Sequence, residues 1–237
     1  MIDALNSLIT RAKRSQRVVP HGDPVKVNVG SYLLVEPGWI NVEGTVHALL
    51  AHKAEFLARL MYRHSHVSDV LGSEEEYVGI LQNHEFVHHD LAYGLPFPDG
   101  SVDFIYASHV LEHFYPEAAR HLLRESHRVL KPGGRARFCV PDLRHAVALY
   151  EQGNRSEALE YFFQGPSVAP FHRHKYMYDF EGLREALEQA GFISVERCAF
   201  QQGRVPDVDK LDNRPGETLF VEAVKRSLSR GPGGAAS

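Results

Sequence analysis

Val25-Lys26-Val27-Asn28-Val29-Gly30 decides how the rest of the chain is read. Three valines alternate with Lys26 and Asn28 and the run stops on glycine, the pattern of a core β-strand that meets a turn. The breaker run Pro20-His21-Gly22-Asp23-Pro24 separates it from what precedes. Downstream, Trp39-Ile40-Asn41-Val42-Glu43-Gly44 repeats the design as a second short strand. Only eight residues lie between the two, Pro37-Gly38 among them. A full βαβ crossover wants about a dozen or more, so the first crossover is expected to hold at most a turn of helix.

Working outward, residues 45–66 return apolar side chains (Val46, Leu49, Leu50, Phe56, Leu57, Leu60) at helical spacing, and Glu74 to Ile80 continues this helical insert. Phe86 to Leu91 reads as a strand edge, Gly94 to Gly100 as a turn-rich loop and Val102 to Ala107 as the next strand. A helix is expected from about Val110 and another from Pro116 to Leu130, stopped by Lys131-Pro132-Gly133-Gly134. Arg135 to Val140 is a strand that Pro141-Asp142 leaves. A helix opens at Asp179-Phe180-Glu181 and runs to Gly191, and strands near Ile193 to Cys198 and Thr218 to Val224 close the sheet. Strands alternating with helices predict an α/β fold, mostly a parallel sheet with helices on both faces, whose ligand site lies at the carboxyl ends of the strands. The expected organisation is an amphipathic helix and linker over 1–24, one domain over 25–226 with inserts at about 45–85 and 143–180, and a disordered Gly-, Ala- and Ser-rich tail over 227–237.

Composition narrows the function. The chain has 237 residues, and 26 Lys and Arg against 30 Asp and Glu leave a net charge of −4, so no basic excess advertises a nucleic acid partner. The two cysteines, Cys139 and Cys198, form no CxxC pair, which suits a reducing cytosol. The basic residues Arg11 to Arg17 follow the apolar N-terminal stripe instead of preceding it, unlike a secretory signal. No apolar run approaches the roughly 20 residues of a membrane span. A soluble, cytoplasmic protein is expected.

Gly30, Glu43, Asp90, Ser108 and Asp142 all fall at strand ends. Gly30 permits close backbone approach to a ligand, and Glu43 can accept hydrogen bonds from the vicinal hydroxyls of a ribose. The dinucleotide fingerprint G-x-G-x-x-G is missing, since Ser31, Tyr32, Leu33, Leu34 and Val35 follow Gly30. A nucleoside without a pyrophosphate fits better than a nicotinamide cofactor. Asp90 could accept from an exocyclic adenine amine, or cap a turn, and Leu91 supplies an apolar wall.

These stretches, with Asp90-Leu91 before Leu95-Pro96-Phe97-Pro98-Asp99-Gly100, Ser108-His109-Val110-Leu111-Glu112-His113, Arg128-Val129-Leu130-Lys131-Pro132-Gly133-Gly134 and Val140-Pro141-Asp142, resemble the class I S-adenosylmethionine-dependent methyltransferases. The resemblance covers about 200 residues, Val25 to Lys225, and is nearest to bacterial sugar and polysaccharide enzymes. More loosely, His21 to Lys26 and the abundant histidines look like actinobacterial enzymes that modify methylmannose polysaccharides. The resemblance implies a Rossmann-like fold with S-adenosylmethionine as cofactor. It implies that Gly30 contacts the methionine part, that Glu43 holds the ribose and Asp90 and Leu91 the adenine, and that the Ser108-His109 segment lies at the methionine amine or the substrate edge, with Asn28 and Ser31 also among the cofactor-binding residues. The family usually has a second glycine two places after the first, where this chain has Tyr32.

Fifteen histidines supply the candidate bases. His109, His113, Asp142 and His145 fall in the expected cleft as catalytic candidates, and Asp142 and His145 could pair as carboxylate and imidazole. Methyl transfer to a sugar hydroxyl would gain from such a base, or from a divalent cation such as Mg2+ binding the sugar diol. His172, His174 and Tyr176 are expected to contact a saccharide acceptor, on which flat aromatic faces can pack. His88 and His89 read as strand-end or surface residues. Two other readings stay open: a non-catalytic nucleoside- or carbohydrate-binding module, and a zinc hydrolase, because His109 to His113 matches H-x-x-E-H and on a helix its imidazoles would share one face. Glu112 and His113 also read as mutually bonded scaffold residues.

Overall fold

The valines of the opening run take the centre of the sheet. The computed structural model describes residues 2–163 and 173–227. Its sheet has seven strands: β1 (Lys26–Val29), β2 (Trp39–Glu43), β3 (Glu85–His88), β4 (Val102–Ser108), β5 (Leu130–Pro141), β6 (Phe192–Cys198) and β7 (Thr218–Lys225), in the order β3-β2-β1-β4-β5-β7-β6. The first five are parallel, and β7 inserts antiparallel between β5 and β6. This is the Rossmann-like architecture of the class I methyltransferase fold. The helices are α1 (Ile2–Ala12), α2 (Val46–Leu50), α3 (Glu55–His64), α4 (Glu74–Asn83), α5 (Pro116–Val129), α6 (Leu143–Glu151), α7 (Arg155–Phe162), α8 (Phe180–Gln189) and α9 (Val208–Leu211).

The two faces of the sheet differ because the strands alternate. Val27, Ile40 and Ile105 share one register row and Val29, Val42 and Ala107 another, and they pack with Leu122, Leu123, Leu183 and Leu187 of α5 and α8 into the main core. Pro116 opens α5, where its missing N–H costs nothing, and Asp179 caps α8 by accepting from the Gly182 N–H. The opposite face carries Asn28, Asn41, Tyr106, Arg137 and Glu222 side by side. No helix joins β1 to β2, as the short spacing requires, so that face is covered by the segment between β6 and β7. Val205, Val208 and Leu211 from this segment close over Trp39, Tyr106, Cys139 and Phe220. Asp207 pins it by accepting from Trp39 Nε1 at 2.9 Å and Lys26 Nζ at 2.7 Å.

The expected insert exists as α2, α3 and α4, which cross from β2 to β3 with a small core of their own built on Leu33, Ala58, Val67, Tyr77 and Leu81. The single helical run expected over 45–66 is interrupted between Ala51 and Ala54, where His52 adopts φ 55°. Two further expectations need correction. Past β4 the chain does not enter a helix at Val110: His109 takes φ 53° and only a 3-10 turn, Leu111–His113, forms before α5. Lys131 to Gly134 ends α5 but also opens β5, with a register irregularity between the Val102 and Phe104 pairings. Among the described residues no helix is long and apolar enough to cross a membrane. Residues 228–237 of the expected tail lie outside the described residues.

Candidate active site

The carboxyl ends of β1 to β4 form one edge. Gly30 follows β1 at φ 67°, and a Cβ there would lie 2.5 Å from Val110 Cγ2. Glycine is therefore required twice, by its backbone and by the approach of the β4 turn. Gly30→Ala is expected to cost about 2–4 kcal/mol, from left-handed strain and overpacking together. Denaturant unfolding would check this, and a loss under about 1 kcal/mol would show that the turn yields.

Tyr32 stands where the resembled family has its second glycine, and it takes the left-handed conformation itself at φ 47°. Its N–H donates to Glu43 Oε2 at 2.8 Å while Thr45 N–H donates to Oε1 at 3.1 Å. Burial pushes the Glu43 carboxyl above the usual carboxylate range, against the lowering effect of backbone N–H groups from Tyr32, Thr45 and Gly44. The Tyr32 ring packs edge-on to His47, whose Nδ1 lies 2.7 Å from the Tyr77 hydroxyl and whose pKa burial lowers to about 4. Asn28 is buried, and its amide donates to the Leu34 carbonyl at 2.8 Å and Asn41 Oδ1 at 3.2 Å, so it braces the β1–β2 loop. Asp90 caps the turn Leu91–Tyr93 by accepting from the Ala92 N–H at 2.9 Å, and Leu91 is buried. His88 and His89 are strand-end residues as read, but buried and not on the surface. Helix α1 lies over the ends of β2 and β3, where Asn6 donates to the Gly44 carbonyl and its amide oxygen meets His88 Nε2.

A second cluster forms beyond β4 and β5. Ser108 is the last residue of β4. His109 Nδ1 donates to Glu112 Oε1 at 3.2 Å, and His109 Nε2 lies 3.2 Å from the Thr218 hydroxyl. Glu112 is fully buried, and its Oε2 has no hydrogen-bond partner among the described residues. His113 Nε2 is 3.8 Å from Glu112 Oε1. The segment after residue 172 docks here, with Lys175 N–H donating to the Glu112 carbonyl and Lys175 Nζ to the His113 carbonyl, each at 2.7 Å. That docking brings the His174 ring to 5.3 Å from the His113 ring. Tyr176 stays 45% exposed and stacks edge-on to Tyr178.

The remaining candidates are engaged elsewhere. Asp142 caps α6 by accepting from the Arg144 N–H at 2.9 Å, and its other oxygen accepts from Arg197 Nη2 at 2.9 Å. His145 turns edge-on to Tyr161, so the expected Asp142–His145 pair does not form. His172 lies outside the described residues. The H-x-x-E-H stretch is a strand end and a 3-10 turn, so its two imidazoles do not share a helical face. Sequence reading passed over Thr218, and it took Glu112 as the partner of His113, whereas the structure pairs it with His109. The i,i+3 spacing of His109 and Glu112 was the signal available.

Residues 54–138 match the family described as Methyltransferase domain. A probable S-adenosylmethionine-dependent methyltransferase of Mycobacterium tuberculosis strain H37Rv is 27% identical over 138 residues, 58% of this chain and 43% of that protein. The chain thus spans less than half the length of the curated relative it matches. Among solved structures, a possible exported protein from Bordetella parapertussis is similar at TM-score 0.50 and 15% identity over 94% of this chain and 68% of that one. An S-adenosylmethionine-dependent methyltransferase from Archaeoglobus fulgidus is similar at TM-score 0.47 and 15% identity, covering 95% of each chain. A methyltransferase domain is thus matched over residues 54–138, and S-adenosylmethionine is the cofactor that this similarity implies.

The residues present fit that group. The Ser31 and Thr45 hydroxyls and both ring nitrogens of His89 are buried without a hydrogen-bond partner among the described residues, and they stand at the ends of β1, β2 and β3. Buried polar atoms normally find partners, and the hydroxyls and amine of S-adenosylmethionine are the kind of group that would supply them.

Proposed function

We propose that the protein is an S-adenosylmethionine-dependent methyltransferase acting on an oxygen, and that its acceptor is a sugar hydroxyl. The observation that carries the reading is the adjacency of two sets of groups. Glu43 and the unpartnered Ser31, Thr45 and His89 side chains line the ends of β1 to β3, and the His109–Glu112–His113–His174 cluster lies beyond β4. Bound S-adenosylmethionine supplies an electrophilic methyl group on a sulfonium. The chain's own part is then to hold and orient. Glu43 accepts from the ribose hydroxyls, Asp90 and Leu91 bound the adenine, and Gly30 lets the backbone close on the methionine part. Ser108 sits at the boundary between the cofactor edge and the histidine cluster.

On the acceptor side, orientation of the reacting oxygen is worth more than any single base. The exposed Tyr176 offers a flat face for a sugar ring, and the histidine cluster offers acceptors for its hydroxyl protons. Asp142 is a positioning residue, because its carboxylate is committed to the α6 cap and to Arg197. Asparagine caps as well as aspartate, and the lost pair with the half-exposed Arg197 is worth under about 1 kcal/mol. Asp142→Asn is therefore expected to leave cofactor affinity unchanged and to lower kcat by less than about tenfold. A fall into the about 10²- to 10⁴-fold range of a general base would return Asp142 to the chemistry.

The test of the whole reading is calorimetric titration with S-adenosylhomocysteine, with NAD as control, followed by methyl-transfer assays on saccharide acceptors. Binding of the first ligand alone is expected. Failure of both to bind would overturn the reading, binding without turnover of any saccharide would overturn the sugar acceptor, and binding without turnover of any acceptor would leave a nucleoside-binding module.

A further inference from the structure

We propose that Glu112, His113 and His174 form a binding site for a first-row transition metal of the zinc type. Each of the three offers one ligand atom, and these atoms all lie within 4.8 Å of one another. The residues come from the turn after β4 and from a segment about 60 positions later in the chain, so the convergence is a product of the fold and not of one motif. His109 of the H-x-x-E-H stretch is excluded, since its two ring nitrogens already face Glu112 and Thr218. His174 takes its place.

Three features mark this as a built site. Only 1% of the Glu112 side chain is exposed, and Oε2 has no hydrogen-bond partner among the described residues, while His109 holds Oε1 and so fixes the plane of the carboxylate. Each imidazole places Nδ1 against a backbone carbonyl, His174 at 2.7 Å from Tyr161 and His113 at 3.4 Å from Arg173. A carbonyl can only accept, so Nδ1 is the donor in each pair, the arrangement that orients metal-binding histidines. The two Lys175 hydrogen bonds tie the His174 segment to the backbone of Glu112 and His113, so the geometry exists before any ion arrives.

The donor set selects the metal. Two imidazoles and one carboxylate suit zinc and its neighbours, whereas Mg2+ and Ca2+ favour oxygen ligands. Three protein ligands also leave a coordination position for water or an acceptor oxygen. The site therefore departs from the Mg2+ that a sugar diol alone would suggest. It stands on its own geometry and goes beyond the methyltransferase reading.

The experiment uses the full chain, stripped with a chelator, reloaded separately with Zn2+, Co2+ or Mg2+ and passed through gel filtration before elemental analysis. The wild-type protein is expected to retain about one equivalent of Zn2+ or Co2+, with the visible absorption of tetrahedral Co2+, and no Mg2+. His174→Ala and His113→Ala, both at partly exposed positions, are expected to weaken retention by at least the about 10- to 100-fold that loss of a supporting hydrogen bond alone can cost, and to abolish the Co2+ spectrum. Failure of the wild type to retain Zn2+, or equal retention by both variants, would overturn the proposal, the latter assigning the ion to other histidines. Thermal melts identify a variant that does not fold, and in that case the other variant and the wild-type Co2+ spectrum decide. S-adenosylhomocysteine titration of the same samples tests the cofactor edge separately, so the two readings can fail independently.

Discussion

Asp212→Ala is expected to destabilise the fold by about 3–5 kcal/mol, the cost of breaking a buried ion pair by removing one partner. Arg137 is fully buried on β5, and all five of its donors are used. Nε and Nη2 donate to Asp212, Nη1 to the Gln202 carbonyl and Glu222, and Nη2 also to the Ala199 carbonyl. Asp212 further accepts from the Gln201 N–H at 2.7 Å and the Tyr106 hydroxyl at 3.4 Å. Burial alone would lower the Arg137 pKa, but the hydrogen bonds and charge of Asp212 outweigh it and hold the guanidinium charged. Alanine at 212 strands that charge in the interior. Because natural domains have about 5–15 kcal/mol in all, urea unfolding should show the midpoint falling by a large fraction of its value. Arg137→Met with Asp212→Ala should recover part of the loss, though not all, because the buried Glu222, which accepts from the Arg204 and Val205 N–H groups, also loses its Arg137 partner. A single-variant loss below about 1 kcal/mol would mean that the segment between β6 and β7 opens to water and does not seal the sheet.

That network also marks the boundary of what the sequence discloses. Arg135 to Val140 reads as a strand of a sheet covered on both faces, but nothing in its local pattern says what covers Arg137. Arg137 is buried because the β1–β2 crossover lacks a helix and a segment more than 60 residues away in sequence covers that face instead. Local pattern found β1, β2, the end of α5 and the Asp179 cap of α8, since each is written in periodicity or in a capping residue. It could not find the antiparallel insertion of β7 between β5 and β6, which depends on pairing between distant strands. The helix expected at Val110 fails for a backbone reason: His109 turns left-handed, and the helix waits for Pro116. The strand-end positions of Gly30, Glu43, Asp90 and Ser108 were legible because they follow directly from where strands stop. The meeting of Glu112 with His174 was not, because it needs the 173–178 segment folded back onto the β4 turn.

Glu43→Ala is expected to lower S-adenosylhomocysteine affinity by about 100-fold or more, the equivalent of losing two hydrogen bonds to a charged acceptor at about 1.5–3 kcal/mol each. Glu43 Oε2 accepts from the Tyr32 N–H and Oε1 from the Thr45 N–H, and the carboxylate has further lone pairs to offer a ribose hydroxyl. Alanine also leaves those two N–H groups unpaired and frees Tyr32 from its left-handed turn, so a stability loss of about 1–3 kcal/mol should accompany the affinity loss. The two effects can be separated through pH. The carboxyl sits above the usual carboxylate range, chiefly through burial. Ionising it costs the free protein stability as pH rises through that raised value, and ribose hydroxyls that donate to the ionised form return part of the cost. Wild-type affinity should therefore decline on acidification at a higher pH than an ordinary carboxylate would produce, and Glu43→Gln, which cannot ionise, should lack that limb of the profile. A merely structural Glu43 would give lower stability in the alanine variant with unchanged affinity by calorimetry below its melting point, and that result would remove the ribose assignment while leaving the fold as described.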